Sequence, residues 1–158
     1  MTEIHTGGCQ CGAVRYRIEG PLGDAGFCYC RMCQKAFGSL GAPLVSVPPE
    51  RFTWTRGTPS TFRSSPVVAR GFCKDCGTPL FMLEDDYGPI EIAIGTLDDP
   101  NAASPDHVVG VESKLVWADT LPGLPAKRTE DDRTPQDLTK LRSLQHPDHD
   151  TKEWPAKG

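Results

Sequence analysis

The chain has 158 residues, with seventeen basic against twenty-one acidic side chains and a formal net charge of -4. That length suits one domain whose core covers roughly two thirds of the surface its unfolded form would expose, and a second full domain is not expected. A surface that tracks phosphates needs a basic patch, so the charge balance argues against nucleic acid as the main partner.

No run of about eighteen apolar residues occurs, and Met1-Thr2-Glu3-Ile4-His5 lacks the basic and apolar regions of a secretory signal. No membrane association and a cytoplasmic location are therefore expected. Sixteen glycines and fifteen prolines favour short strands and turns over long helices. Gly7-Gly8-Cys9-Gln10-Cys11-Gly12 is a knuckle among glycines, which let the backbone turn tightly enough for both sulfurs to face one ion. Ala13 to Glu19 reads as a strand: Val14, Tyr16 and Ile18 alternate with Arg15, Arg17 and Glu19, so one face should meet a core and the other water. Gly20-Pro21 ends it. A second short strand, Ala25 to Tyr29, delivers Cys28 and Cys30. Arg31 to Phe37 then forms a turn or a single helical turn that carries Cys33 and stops at Gly38. Ser39 to Val47 is small and apolar, as suits a buried strand beside that loop, and Pro48-Pro49-Glu50 breaks it.

Phe52 and Trp54 alternate with Thr53 and Thr55, and Phe62 follows after Gly57-Thr58-Pro59, a pattern that predicts edge hairpins with aromatic packing. Val67 to Phe72 predicts a strand running into Cys73-Lys74-Asp75-Cys76, and Gly77-Thr78-Pro79 leads into Leu80-Phe81-Met82-Leu83. This strand, knuckle, strand order is zinc-ribbon-like. Glu84-Asp85-Asp86-Tyr87-Gly88 predicts a solvated hairpin turn before a strand in which Ile90, Ile92 and Ile94 alternate. A loop around Asp98-Asp99-Pro100-Asn101 follows, then apolar stretches from His107 to Val111 and Lys114 to Trp117. Regular structure is expected to end at Leu121-Pro122-Gly123-Leu124-Pro125. Residues 126–158 form a polar tail with one short helix. Thr134 is its N-cap, Pro135 its first turn, Asp137 the capping-box residue, and Leu138, Leu141 and Leu144 its apolar stripe. Docking on the domain and mobility both stay open for this tail.

The seven cysteines carry the chemistry. In a reducing compartment such close spacings more often mark metal ligands than disulfides, and an odd number fits disulfides poorly; a secreted disulfide scaffold with one spare thiol is the alternative. Cys28-Tyr29-Cys30-Arg31-Met32-Cys33 offers three thiolates to one zinc ion. Cys9, Cys11, Cys73 and Cys76 would close a second site with four. Tetrahedral zinc takes four protein ligands when structural and three plus an open position when catalytic, so the count suggests two ions per chain, one of each kind. A different partition joins Cys73 and Cys76 to two members of the triplet, and an internal ligand such as His107 or His5 would make the triplet structural as well. With the position open, zinc can hold a substrate thiol as an anion near neutral pH, and that thiolate can attack an aldehyde carbon. Arg31, Lys35, Arg70 and Lys74 flank the cysteines and are candidates to offset thiolate charge or hold substrate carboxylates. His107 is the candidate for proton transfer. No Ser/His/Asp order, phosphate loop or nucleotide fingerprint is present.

Gly8-Cys9-Gln10-Cys11-Gly12-Ala13-Val14-Arg15-Tyr16, Cys28 to Lys35, Phe72-Cys73-Lys74-Asp75-Cys76-Gly77-Thr78, Gly95-Thr96-Leu97-Asp98 and Ser113-Lys114-Leu115-Val116-Trp117 together resemble the glutathione-dependent formaldehyde-activating enzyme family, which includes centromere-protein-V relatives. The resemblance runs from about Thr6 to Pro125 and makes residues 1–125 the zinc domain. It implies a mainly β fold of packed antiparallel sheets, a β-tent, with few helices. It implies structural zinc on Cys9, Cys11, Cys73 and Cys76 and catalytic zinc on Cys28, Cys30 and Cys33. The activity implied is that of a carbon-sulfur lyase like S-(hydroxymethyl)glutathione synthase, in which glutathione and formaldehyde combine reversibly, so the expected partner is a small-molecule thiol such as glutathione. Many relatives have histidine and arginine where this chain has Tyr29 and Gln34, departures that spare the ligands. The centromere-associated relatives suggest the other reading, a non-catalytic zinc module that binds glutathione or a protein partner.

Overall fold

Short runs of alternating polarity become ten strands and two short α-helices among residues 3–86 and 88–153, which the computed structural model describes; Tyr87 of the expected hairpin turn lies outside them. In chain order they are β1 (Ile4–Gly8), β2 (Arg15–Glu19), β3 (Ala25–Cys28), α1 (Arg31–Phe37), β4 (Ala42–Val47), β5 (Phe52–Arg56) and β6 (Ser60–Arg63). Then follow β7 (Val68–Phe72), β8 (Pro79–Glu84), β9 (Ile90–Ala93), β10 (His107–Val109) and α2 (Pro135–Lys140). The class is mainly β, as expected. A three-stranded sheet runs β1-β2-β5 and a seven-stranded sheet runs β10-β3-β4-β9-β8-β7-β6. Every pairing is antiparallel except that of β10, which lies parallel to β3.

Residues paired across neighbouring strands share a face of the sheet, and this separates the core from the site. Ala25 pairs with Val45, Val45 with Ile92, and Ile92 with Phe81. That face packs against Tyr16 and Ile18 of the smaller sheet to make the main core, joined by Val47, Phe52 and Trp54. The Tyr16 ring lies 5.3 Å from Phe52 and 6.0 Å from Trp54, centroid to centroid, and its hydroxyl is satisfied by Thr96 at 2.8 Å. The next register, Cys28 with Ala42, Ser46 with Glu91, and Met82 with Arg70, faces away from this core.

Two expectations need correction, and one strand was not foreseen. Phe52, Trp54 and Phe62 do not form hairpins together: β5 is the edge of the small sheet beside β2, whereas β6 is the edge of the large sheet beside β7. Phe52 and Trp54 join the core, whereas Phe62 stays 47% exposed and packs against Phe72 of its own β6–β7 hairpin, ring centroids 6.1 Å apart. The stretch before Cys9 is strand β1, which the sequence hid because Gly7 and Gly8 present no side chains to alternate. Arg15, expected in water, is buried at 3% exposure.

The partners of Arg15 explain its burial. Its guanidinium donates to Asp98 at 2.5 and 2.8 Å and to Asp150 at 2.8 Å, and Asp98 also accepts from the Thr6 hydroxyl. Burial opposes ionisation of Asp98, but the bonds from Arg15 and Thr6 prevail and hold its carboxyl below the usual range. Asp150 belongs to the tail. Thr134 caps α2, its hydroxyl accepting from the Asp137 N–H at 3.2 Å, while Leu141 and Leu144 stay exposed. Beyond α2 the chain returns over the small sheet: the His146 N–H donates to the Gln10 carbonyl at 2.8 Å, and Arg56 donates to the Thr151 carbonyl. The His146 side chain is buried.

Arg15→Met strands a buried carboxylate and should cost about 3 kcal/mol in urea unfolding, whereas Asp150→Ala removes only a half-exposed partner and should cost less than about 1 kcal/mol. The Asp98 contribution is complete above about pH 4 and is lost as pH falls through its lowered native value, so Arg15→Met should also flatten the acid limb of stability.

Candidate metal centres

The seven cysteines form no disulfides with one another and fall into two groups. Cys9 and Cys11 lie in the turn from β1 to β2, Cys73 and Cys76 in the turn from β7 to β8. Each turn closes on itself: Gly12 N–H donates to the Cys9 carbonyl at 3.0 Å, and Gly77 N–H to the Cys73 carbonyl at 2.8 Å. Gly12 and Gly77 both hold φ near 75°, the left-handed region where a side chain is strained, so glycine is favoured at both. All four sulfurs lie within 4.8 Å of one another. Tetrahedral zinc with bonds of about 2.3 Å sets its sulfurs about 3.8 Å apart; Cys9 and Cys11 approach to 3.6 Å and Cys11 and Cys73 to 3.8 Å. The residues therefore fit such an ion, and the group permits metal binding.

Cys28, Cys30 and Cys33 form the second group, their sulfurs also within 4.8 Å of one another. Cys28 ends β3, Cys30 caps α1 with its sulfur accepting from the Cys33 N–H at 3.4 Å, and Cys33 sits in the first turn. Gln34 is buried and braces the loop, its Nε2 donating to the carbonyls of Tyr29 at 2.7 Å and Ser113 at 2.8 Å. Among the described residues no histidine or carboxylate joins the three sulfurs. His107 Nδ1 is 2.7 Å from Asp106, and His5 lies on β1 in the other sheet. Cys73 and Cys76 belong with Cys9 and Cys11, not with the triplet.

Of the four flanking bases, only Arg70 reaches a sulfur. It is 4% exposed, donates through Nη2 to Cys33 Sγ at 3.4 Å and through Nε to Ser64 Oγ at 3.0 Å, and keeps Nη1 buried without a hydrogen-bond partner. Arg31 is exposed and bonds Gln34, while Lys35 and Lys74 are also exposed. Three thiolates on a divalent ion leave one net negative charge, which a buried guanidinium beside Cys33 offsets.

Environment separates the thiols. Burial pushes Cys9 and Cys28 up to about 12. Burial also opposes ionisation of Cys76, but hydrogen bonds from the Thr78 hydroxyl and backbone bring it down to about 6. At Cys30 the same contest, burial against the Cys33 N–H and neighbouring thiols, ends below the ordinary value. The sequence missed Gln34 as a brace and His146 as a contact of the first knuckle; both positions make contacts remote in the chain, which spacing does not encode.

A mainly β protein with two thiol groups able to bind metal ions is the class that this geometry defines. The family model for the glutathione-dependent formaldehyde-activating enzyme matches residues 4–113, and the chain belongs to that family. A crystal structure of a Rhodobacter sphaeroides protein shares the fold, with a TM-score of 0.54 and 20% identity over 66% of this chain and 99% of that one. No helix among the described residues is long and apolar enough to cross a membrane.

In reduced, chelator-treated protein at pH 7, iodoacetamide should label Cys76 and Cys30 before Cys9 and Cys28, because the thiolate is the reactive form; peptide mass spectrometry over a time course reads the order.

Proposed function

We propose that the chain is a zinc-dependent carbon-sulfur lyase that joins glutathione-type thiols to aldehydes and reverses that addition, as family membership supports. The carrying observation is a group of three sulfurs within 4.8 Å with no fourth protein ligand among the described residues, beside an open cavity that Cys28 lines. In this reading Cys28, Cys30 and Cys33 hold the catalytic zinc, and Cys9, Cys11, Cys73 and Cys76 hold a structural one. Zinc in the open site supplies the positive charge that keeps a thiol ionised near neutral pH.

The protein's own residues do the rest. Arg70 offsets the charge of the three thiolates, and Gln34 fixes the loop that presents them. The substrate thiol gives up its proton, its sulfur bonds the aldehyde carbon, and the carbonyl electron pair moves to oxygen, which takes a proton. His107, its Nδ1 held by Asp106, leaves Nε2 for that exchange. Residues 1–125 form the zinc domain and 126–158 an appended tail, and cysteines in such number that serve as metal ligands suit a reducing, cytoplasmic setting. A second reading, a non-catalytic module that binds glutathione or a protein partner, draws on exposed Val111, Val116 and Trp117 downstream of β10.

Metal analysis should find two zinc ions per chain. Cys30→Ser should lose one with the fold intact, and Cys73→Ser should lose the other together with stability, since structural zinc holds folding free energy. Arg70→Met should weaken retention of the triplet's ion by tenfold or more, read by chelator competition. Glutathione plus formaldehyde should turn over in a direct assay; affinity without rate would favour the binding module.

A further inference from the structure

On the outer face of the large sheet Cys33 of α1 packs with Ala42 and Leu44 of β4 and lies against Arg70 of β7. Beside α1 that face opens into a cavity of about 540 Å³ whose wall includes Cys28, Ser46, Glu91 and His107. Gly26 opens the near end: a Cβ there would lie 2.5 Å from His107 Nε2, so the imidazole can lie directly against β3. Cys28 stands opposite Ala42 and Glu91 opposite Ser46, four residues further along β4, which is about 13 Å at strand spacing. In a γ-glutamyl-cysteine unit eight bonds separate the sulfur from the amino nitrogen, about 10 Å when extended, so such a molecule with its sulfur near Cys28 brings its ammonium toward Glu91.

The far end is built for a cation. Glu91 is half-buried, and one carboxylate oxygen accepts from the Ser46 hydroxyl at 2.5 Å. No lysine or arginine lines the cavity, and among the described residues none forms an ion pair with Glu91. Burial and the nearby Asp24 carboxylate oppose ionisation of Glu91, and the Ser46 hydroxyl and His107 favour it without prevailing; an ammonium group from a ligand adds the counter-charge that the half-buried carboxylate lacks. We infer that this face seats the non-reacting part of the thiol substrate and that Glu91 receives a primary ammonium at its far end, selecting short peptide-like thiols with a free amine. The inference rests on the function proposed above and names its specificity. Glutathione, with one amino group at the end remote from its glycine carboxylate, meets the requirement; N-acylated thiols do not.

Calorimetry on the full-length, zinc-loaded protein tests this with S-methylglutathione, which keeps the ammonium but has no free thiol, and with its N-acetyl derivative. Wild-type protein should bind the N-acetyl compound about tenfold more weakly. Glu91→Gln, which preserves shape and the Ser46 bond, should weaken S-methylglutathione about tenfold and erase the preference between the two, as expected for a charge-assisted hydrogen bond. Asp24→Asn, at the exposed rim, should change either affinity less than twofold. Equal binding of both compounds by wild type, a preference that survives Glu91→Gln, an equal effect of Asp24→Asn, or no binding of S-methylglutathione overturns the proposal. Absence of thiol-aldehyde turnover with this preference intact would remove the proposed reaction and leave the ammonium seat standing.

Discussion

Four sulfur atoms brought together from two distant turns, with Cys11 and Cys73 meeting across them at 3.8 Å, are the constraint on which the fold depends. Cys9 and Cys11 belong to the smaller sheet's first turn and Cys73 and Cys76 to a turn of the larger sheet, so the group fastens one sheet to the other at one end of the main core. Without a cation, burial drives Cys9 strongly toward its neutral form; a divalent ion would reverse that preference and convert the crowding into attraction.

That fastening lets the large sheet use its two faces differently. One face is spent on Val45, Val47, Ile92 and their packing against Tyr16 and Ile18. The other is free to carry chemistry, and the strict alternation of strand side chains assigns Cys28, Ser46, Glu91 and Arg70 to it. The rigid floor makes the triplet a defined site although two of its three cysteines lie on a short loop and helix. Arg70 reaches Cys33 from the floor itself, so the charge balance at the sulfurs is set by a strand and not by a mobile surface side chain.

The tail adds a second tie. Arg15, buried between Asp98 and Asp150, links β2 to the loop after β9 and to the chain terminus, and His146 packs beside the first knuckle through Gln10. Asp150 and His146 lie beyond residue 113, where the family match stops.

Local pattern was enough for much of this. Period-two alternation marked β2 and β9, the small apolar run marked β4, the strand, knuckle, strand order marked β7 and β8, and Thr134 with Pro135 and Asp137 marked α2, because each of these signals is written within a few residues. The cysteine spacings by themselves divided seven thiols into pairs and a triplet, but not which pairs meet. Pairing of strands far apart in sequence decided that Cys9 and Cys11 face Cys73 and Cys76, that β5 and β6 part company into different sheets, and that β10 lies parallel to β3. It also decided which polar groups are buried: Arg15 and Gln34 read as ordinary polar residues, and Arg70 as one of four flanking bases, until the carboxylates, carbonyls and sulfur that satisfy them arrive from elsewhere in the chain. Propensity and spacing act over a turn or a strand, whereas a hydrogen bond or ion pair across 37 or 83 residues exists only once packing has brought its two ends together.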